Sequence, residues 1–170
     1  GDERLLRGDD FSQAVRTAQP LNNDPRNFQF AIMADRTGGV RPGVFEKAVE
    51  ILNLLQPEFV LCVGDLIDGY IDRRPDIDQQ AELNRQWDEF NAIVARLRMP
   101  FFYVPGNHDI SNALQAEDYT RRYGRSWYSF RYRDVLFLCL NSEDPPAPQF
   151  SDAQIAFVAD TLARHAAVRW

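Results

Sequence analysis

Three apolar runs constrain this chain more than anything else in it: "FQFAIMA" (28–34), "FVLCV" (59–63) and "FFYV" (101–104). Each reads as a buried strand, and each is separated from the next by a stretch with helical spacing. In the first, from about Val44, the residues Val44, Ala48, Ile51, Leu52 and Leu55 recur at three- and four-residue intervals, which predicts one buried face. The second, around 78–97, carries Leu83, Trp87, Phe90, Val94 and Leu97 as an apolar stripe on an otherwise charged rod. Strand–helix–strand–helix–strand order requires crossovers, so the expected class is α/β with a parallel, helix-covered sheet. A helix around 112–123 comes next. Two strands, "WYSFRYR" and "VLFLCLN", then turn at Asp134 and should pair antiparallel. Alternation of Trp127, Ser129 and Arg131 with Tyr128, Phe130 and Tyr132 predicts that one face of this pair is exposed. The last helix opens with Ser151 and Gln154 at the spacing of a capping box.

The loops at the ends of the three strands matter more than the strands themselves. They are "DRTGG" (35–39), "GDLID" (64–68) and "GNHD" (106–109). In a parallel sheet the strand C-termini share one edge, where ligand sites of open α/β sheets form. An Asp, an Asn or a His alone would pass for a turn residue, a cap or a partner of loop backbone groups. Asp35, Asp65 with Asp68, and Asn107 with His108, at three successive strand ends, point instead to one site. Carboxylate and amide oxygens are hard donors that suit divalent cations. A metal pair activates water and clamps an oxyanion, and a histidine beside it protonates a leaving alkoxide.

These motifs, in this order, resemble those of the calcineurin-like metallophosphoesterases. The resemblance runs from about Phe28 onward and implies a sandwich of mixed β-sheets flanked by helices. It divides the chain into an N-terminal arm (1–27) and a partial metallophosphoesterase domain (28–170). It also implies hydrolysis of phosphoric mono- or diesters at two divalent metal ions, with Mn, Fe, Zn and Mg all open. By that resemblance Asp35 binds the first metal, Asp65 bridges both and Asn107 binds the second. His108 is the general acid, Asp68 its orienting carboxylate, and Asp109 lies just behind them.

Two departures stand out. The family's Asp-x-His has Thr37 in its last place, so an imidazole ligand is replaced by a hydroxyl or by water. The family's later histidines are also missing, since the only other histidine is His165, in the last helix. The expectation is therefore a domain cut off after its first half, with an uncovered sheet edge open to self-association. The alternative is a non-catalytic remnant or interaction module that keeps the fold. For substrate contacts, Arg36 offers a charge and Gly39 the backbone of the loop before the first helix.

The resemblance implies phosphoester small molecules or phosphoproteins as partners. The net charge of −6 disfavours a nucleic-acid backbone. No apolar run approaches the roughly 20 residues of a membrane span. Cys62 and Cys139 lie in apolar stretches and read as buried free thiols, bridged only if their strands are neighbours. The chain begins at Gly1 without an initiator, which a processed export signal or trimming would each explain, so an exported and a cytoplasmic location both stay open.

Overall fold

In a computed structural model, residues 6–7, 15–21, 27–144 and 149–167 are described, Leu6–Arg7 by backbone alone. The elements in order are β1 (Leu6–Arg7), β2 (Ala31–Met33), α1 (Val44–Leu55), β3 (Val60–Cys62) and a 3₁₀ turn (Ile71–Arg73). They continue with α2 (Gln79–Val94), β4 (Phe101–Phe102), α3 (Ala113–Tyr123), β5 (Tyr128–Tyr132), β6 (Val135–Cys139) and α4 (Asp152–Arg164).

Strands β2, β3 and β4 form a parallel sheet with β3 in the middle, in the register Ala31–Val60–Phe101. Strands β1, β5 and β6 form an antiparallel sheet with β5 in the middle. This is the mixed α/β arrangement of a calcineurin-like domain. The parallel strands are shorter than the apolar runs suggest. Asp35 and Asp65 have left-handed backbones (φ 54° and 59°), which turns the chain out of the ladder just beyond β2 and β3.

Side-chain alternation along β4 shows why its run is apolar throughout. Phe101 and Tyr103 face the helices, 5.9 and 6.3 Å from Phe90 of α2, while Phe102 stacks on Phe130 of the antiparallel sheet at 4.3 Å. Both faces of the strand are therefore buried. Phe59 sits between the sheets, with its ring edge-on to Phe102, Phe130, Tyr132 and Phe137 at 5.3–5.6 Å. On the helical side Trp87 packs against Phe90, Tyr119 and Tyr123.

Segment 15–17 adds to the outer edge of β4 through Thr17 N–H to Phe101 O (3.0 Å) and Tyr103 N–H to Val15 O (2.8 Å). β1 pairs with β5, so the described parts of the arm lie along both sheets.

Three expectations need correction. The buried face of α1 is Phe45, Val49 and Leu52, whereas Val44, Ile51 and Leu55 are 58%, 45% and 69% exposed. The polar residues Glu46, Lys47, Glu50 and Asn53 share one side, which leaves a broad apolar arc; the part of it that is buried is the side where Phe45 meets Phe90 at 5.6 Å. The β5–β6 pair is not open on its second face, because Ser129 is buried and Trp127 packs on Phe157 of α4 at 4.9 Å. The capping box at α4 is half formed. Ser151 Oγ accepts the Gln154 N–H, but the Gln154 side chain turns to the main chain of Asn141.

Cys62 and Cys139 are buried free thiols, and burial pushes each up to about 12. They lie on strands of different sheets. Among the described residues no helix is long and apolar enough to cross a membrane.

Candidate active site

The three strand-end loops are stitched to one another by main-chain and side-chain hydrogen bonds. Asp35 N–H donates to Gly64 O (3.1 Å) and Thr37 N–H to Asp65 O (3.2 Å), which ties the first loop to the second. His108 N–H donates to Asp65 Oδ1 (3.1 Å), which ties the third loop to the second.

Asp109 makes more of these ties than any other side chain here. Its fully buried carboxylate accepts four main-chain N–H groups: Asp65 (2.9 Å), Leu66 (2.9 Å), Ile67 (3.1 Å) and Gly106 (2.8 Å). Burial pushes its carboxyl up to about 6, although the N–H donors favour the charged form.

Glycines at two contacts let the loops close this tightly. A Cβ on Gly106 would stand 2.3 Å from Asp65 Oδ1, and one on Gly69 would stand 1.7 Å from His108 O. Gly69 also has φ 58°, so this turn suits glycine on both counts.

Beyond Gly69 the chain meets polar side chains of α2, of α3 and of the turn before α3. Gln86 accepts the Gly69 N–H (3.0 Å), Ser111 Oγ the Tyr70 N–H (3.2 Å) and Gln115 Oε1 the Ile71 N–H (3.1 Å). Gln115 Nε2 donates to His108 O (2.7 Å), so one buried amide spans both loops. Tyr70, which also has a positive φ (48°), places its ring edge-on to His108 at 4.8 Å and its hydroxyl 2.9 Å from Asn107 Nδ2. Sequence reasoning missed Tyr70, Gln86, Ser111 and Gln115. The one visible signal was a buried helical stripe interrupted by glutamine.

The structure brings Asp35, Asp65, Asn107 and His108 to the same sheet edge. Asp35 and Asn107 are exposed, and Asp65 and His108 are half-buried. The Nδ1 of His108 lies 2.8 Å from the main-chain oxygen of Asp68. A carbonyl only accepts, so the proton sits on Nδ1. The Nε2 is turned to the first loop, where a Cβ on Gly38 would be 3.5 Å away.

The orienting group for His108 is thus the Asp68 carbonyl, not its carboxylate, which is exposed. Thr37 is buried and its hydroxyl donates to Ile67 O (2.9 Å), so it works as a strut between loops. Arg36 is held by an ion pair with Glu89 and by Leu66 O (3.3 Å), which takes it away from a substrate role. Gly39 borders open space in a cleft of about 810 Å³, but α1 begins only at Val44, so the helix amides are set back from it. His165 caps the end of α4.

The geometry sets an imidazole beside hard oxygen donors, all on hydrogen-bonded loops at the sheet edge. The calcineurin-like phosphoesterase pattern matches residues 28–161. The chain belongs to that family. It is 35% identical over 127 residues to the serine/threonine-protein phosphatase CPPED1 of Homo sapiens, and equally to that of Pongo abelii, covering 69% of this chain. The CPPED1 of Rattus norvegicus is 36% identical over 104 residues, 58% of this chain and 31% of the relative. The chain spans 38% of the length of the Homo sapiens and Pongo abelii proteins.

Calcineurin-like phosphoesterases use divalent metals. The donors present suit such an ion in kind: two carboxylates and an amide. One oxygen of Asp65, Oδ1, accepts the His108 N–H. Among the described residues no group of three or more His, Cys, Asp or Glu side chains is gathered to hold a metal.

Proposed function

We propose that this chain carries the substrate-facing loops and the proton donor of a phosphoester-cleaving centre. The observation that carries this reading is the pinning of His108. Its Nδ1 proton is committed to the Asp68 carbonyl, so the imidazolium can give up a proton only from Nε2. In that step a water oxygen bonds to phosphorus as the ester P–O bond breaks, the Nε2 proton passes to the leaving oxygen to give an alcohol, and the neutral Nδ1–H tautomer remains.

Asp35, Asp65 and Asn107 would hold divalent metal, which when bound supplies an activated water and charge neutralisation at the phosphoryl group. The chain's own contribution is positional. Asp109 and the Asp65–His108 bond fix the distance between oxygen donors and proton donor. The exposed edge admits a bulky substrate, and the CPPED1 relatives are named as serine/threonine-protein phosphatases. A phosphoserine or phosphothreonine side chain in a protein is therefore the preferred substrate class, ahead of a small phosphoester.

The expected result is that the purified protein releases phosphate from a phosphoserine peptide with Mn²⁺ present, and that a chelator abolishes the release.

Two observations favour a second reading, a non-catalytic module. The donor set is incomplete among the described residues, and Thr37 is engaged as a strut. That reading expects no stoichiometric divalent binding by calorimetry and no phosphate release. Tight binding rules it out.

A further inference from the structure

Asn107 offers a cation only its Oδ1, because an amide nitrogen has no lone pair to give. Something must therefore decide which end of this exposed side chain faces the open edge. The structure shows what does: Asn107 Nδ2 donates to the hydroxyl of Tyr70 at 2.9 Å. With the nitrogen held there, the oxygen is turned away from Tyr70.

The same ring stands edge-on to His108, 4.8 Å between centroids and at 79°, on an imidazole already fixed at Nδ1 by the Asp68 carbonyl. The ring itself is held firmly. The guanidinium of Arg73 lies over it, 3.8 Å from the centroid, and the Tyr70 N–H is bound by Ser111 Oγ. Of the nearby arginines, Arg36 and Arg74 are ion-paired to Glu89 and Glu82, so neither competes for this place. The left-handed backbone of Tyr70 (φ 48°) is unusual for a bulky residue. It is held by the Gly69 turn and by side chains of α2 and α3, and it returns the ring to the site.

We propose that Tyr70 is a positioning residue for both Asn107 and His108: its hydroxyl sets the Asn107 amide with the oxygen toward the cation side, and its ring braces the imidazole. This rests on the phosphoester-cleaving reading for its catalytic consequence, but not for its structural one. The phenol acts on Asn107 through a hydrogen bond and on His108 through packing, so the two effects separate by substitution. Tyr70→Phe removes only the first, and Tyr70→Leu removes both.

The test is the side-chain amide resonances of Asn107 and the ring resonances of His108, followed by NMR in the wild type and both variants. A Mg²⁺ titration and steady-state kinetics accompany them. In Tyr70→Phe the Asn107 NH₂ signals should move and exchange faster, the His108 ring signals should hold, and divalent affinity should fall about tenfold. In Tyr70→Leu the His108 signals should move as well, and kcat should fall about 100-fold below the wild type, where Tyr70→Phe leaves most of kcat. Urea unfolding midpoints of wild type and Tyr70→Phe should agree.

Unchanged Asn107 signals in Tyr70→Phe would overturn the proposal, whatever the enzyme does. A wild type that cleaves no phosphoester would instead defeat the proposed function, while the Asn107 signals still decide the role of Tyr70.

Discussion

Replacing Asp109 with Ala is expected to unfold this protein at temperatures where the wild type is stable. The carboxylate is fully buried and satisfies the N–H groups of Asp65, Leu66, Ile67 and Gly106. Alanine leaves all four without an acceptor inside the protein. A buried donor stripped of its partner costs about 1–3 kcal/mol. Even at the low end, four of them amount to about 4 kcal/mol, a large share of the roughly 5–15 kcal/mol that holds a domain together. Asp109→Asn keeps one oxygen but opposes an NH₂ to N–H donors, so its loss should be smaller, about 2 kcal/mol or more. Urea unfolding of both variants reads this directly. An Asp109→Ala midpoint close to that of the wild type would show that the loops are held by something else.

Gly69→Ala should be nearly as damaging, for a steric reason. Its Cβ would stand 1.7 Å from His108 O and 2.7 Å from the carbonyl carbon, both main-chain atoms that cannot swing aside. The backbone there is also left-handed. To relieve the clash, the loop must move away from Gln86, Ser111 and Gln115, which hold the N–H groups of Gly69, Tyr70 and Ile71. The expected loss is about 3 kcal/mol or more, with the His108 ring displaced from the Asp68 carbonyl. Gly39→Ala is the control. Nothing lies within 4 Å of its Cβ, so it costs only backbone strain, about 1 kcal/mol. Equal unfolding midpoints for the two variants would contradict the close packing of Gly69 on the third loop.

That the three loops meet at one edge was legible in the sequence because they carry side-chain types with few other reasons to recur at strand ends. Asp35, Asp65, Asn107 and His108 mark three loops, and strand–helix alternation alone places those loops on one edge. The hidden parts depend on main-chain atoms or on distant partners. The group that orients His108 is a carbonyl, which every residue has, so the sequence could only point to the carboxylate of the same residue. Arg36 looked available because nothing local pairs with it, yet its partner Glu89 lies 53 residues away. Thr37 stands where an imidazole was expected, and its use as a strut to Ile67 is a tertiary contact.

Helix faces were read unevenly: the expected stripe around 78–97, Leu83, Trp87, Phe90, Val94 and Leu97, is buried, whereas that of α1 is largely exposed. In α1 the apolar arc is broader than the buried face, and the contact of Phe45 with Phe90 marks which part of it is buried. In α2 and α3 the buried Gln86 and Gln115 look like surface residues by type. They are buried because they satisfy loop N–H groups that no secondary structure reaches.

If His108 Nε2 protonates the leaving oxygen of a phosphoester, the need for His108 must depend on how badly that oxygen wants a proton. The decisive comparison is His108→Ala against the wild type on two phosphate esters, one with an alkyl and one with a nitrophenyl leaving group, at saturating Mn²⁺. The alkoxide needs a proton to leave and the nitrophenolate hardly does. The expected loss is about 10²–10⁴-fold on the alkyl ester and much smaller on the nitrophenyl ester. Equal losses on both esters, or no loss on the alkyl ester, would contradict the assignment of His108 as the proton donor.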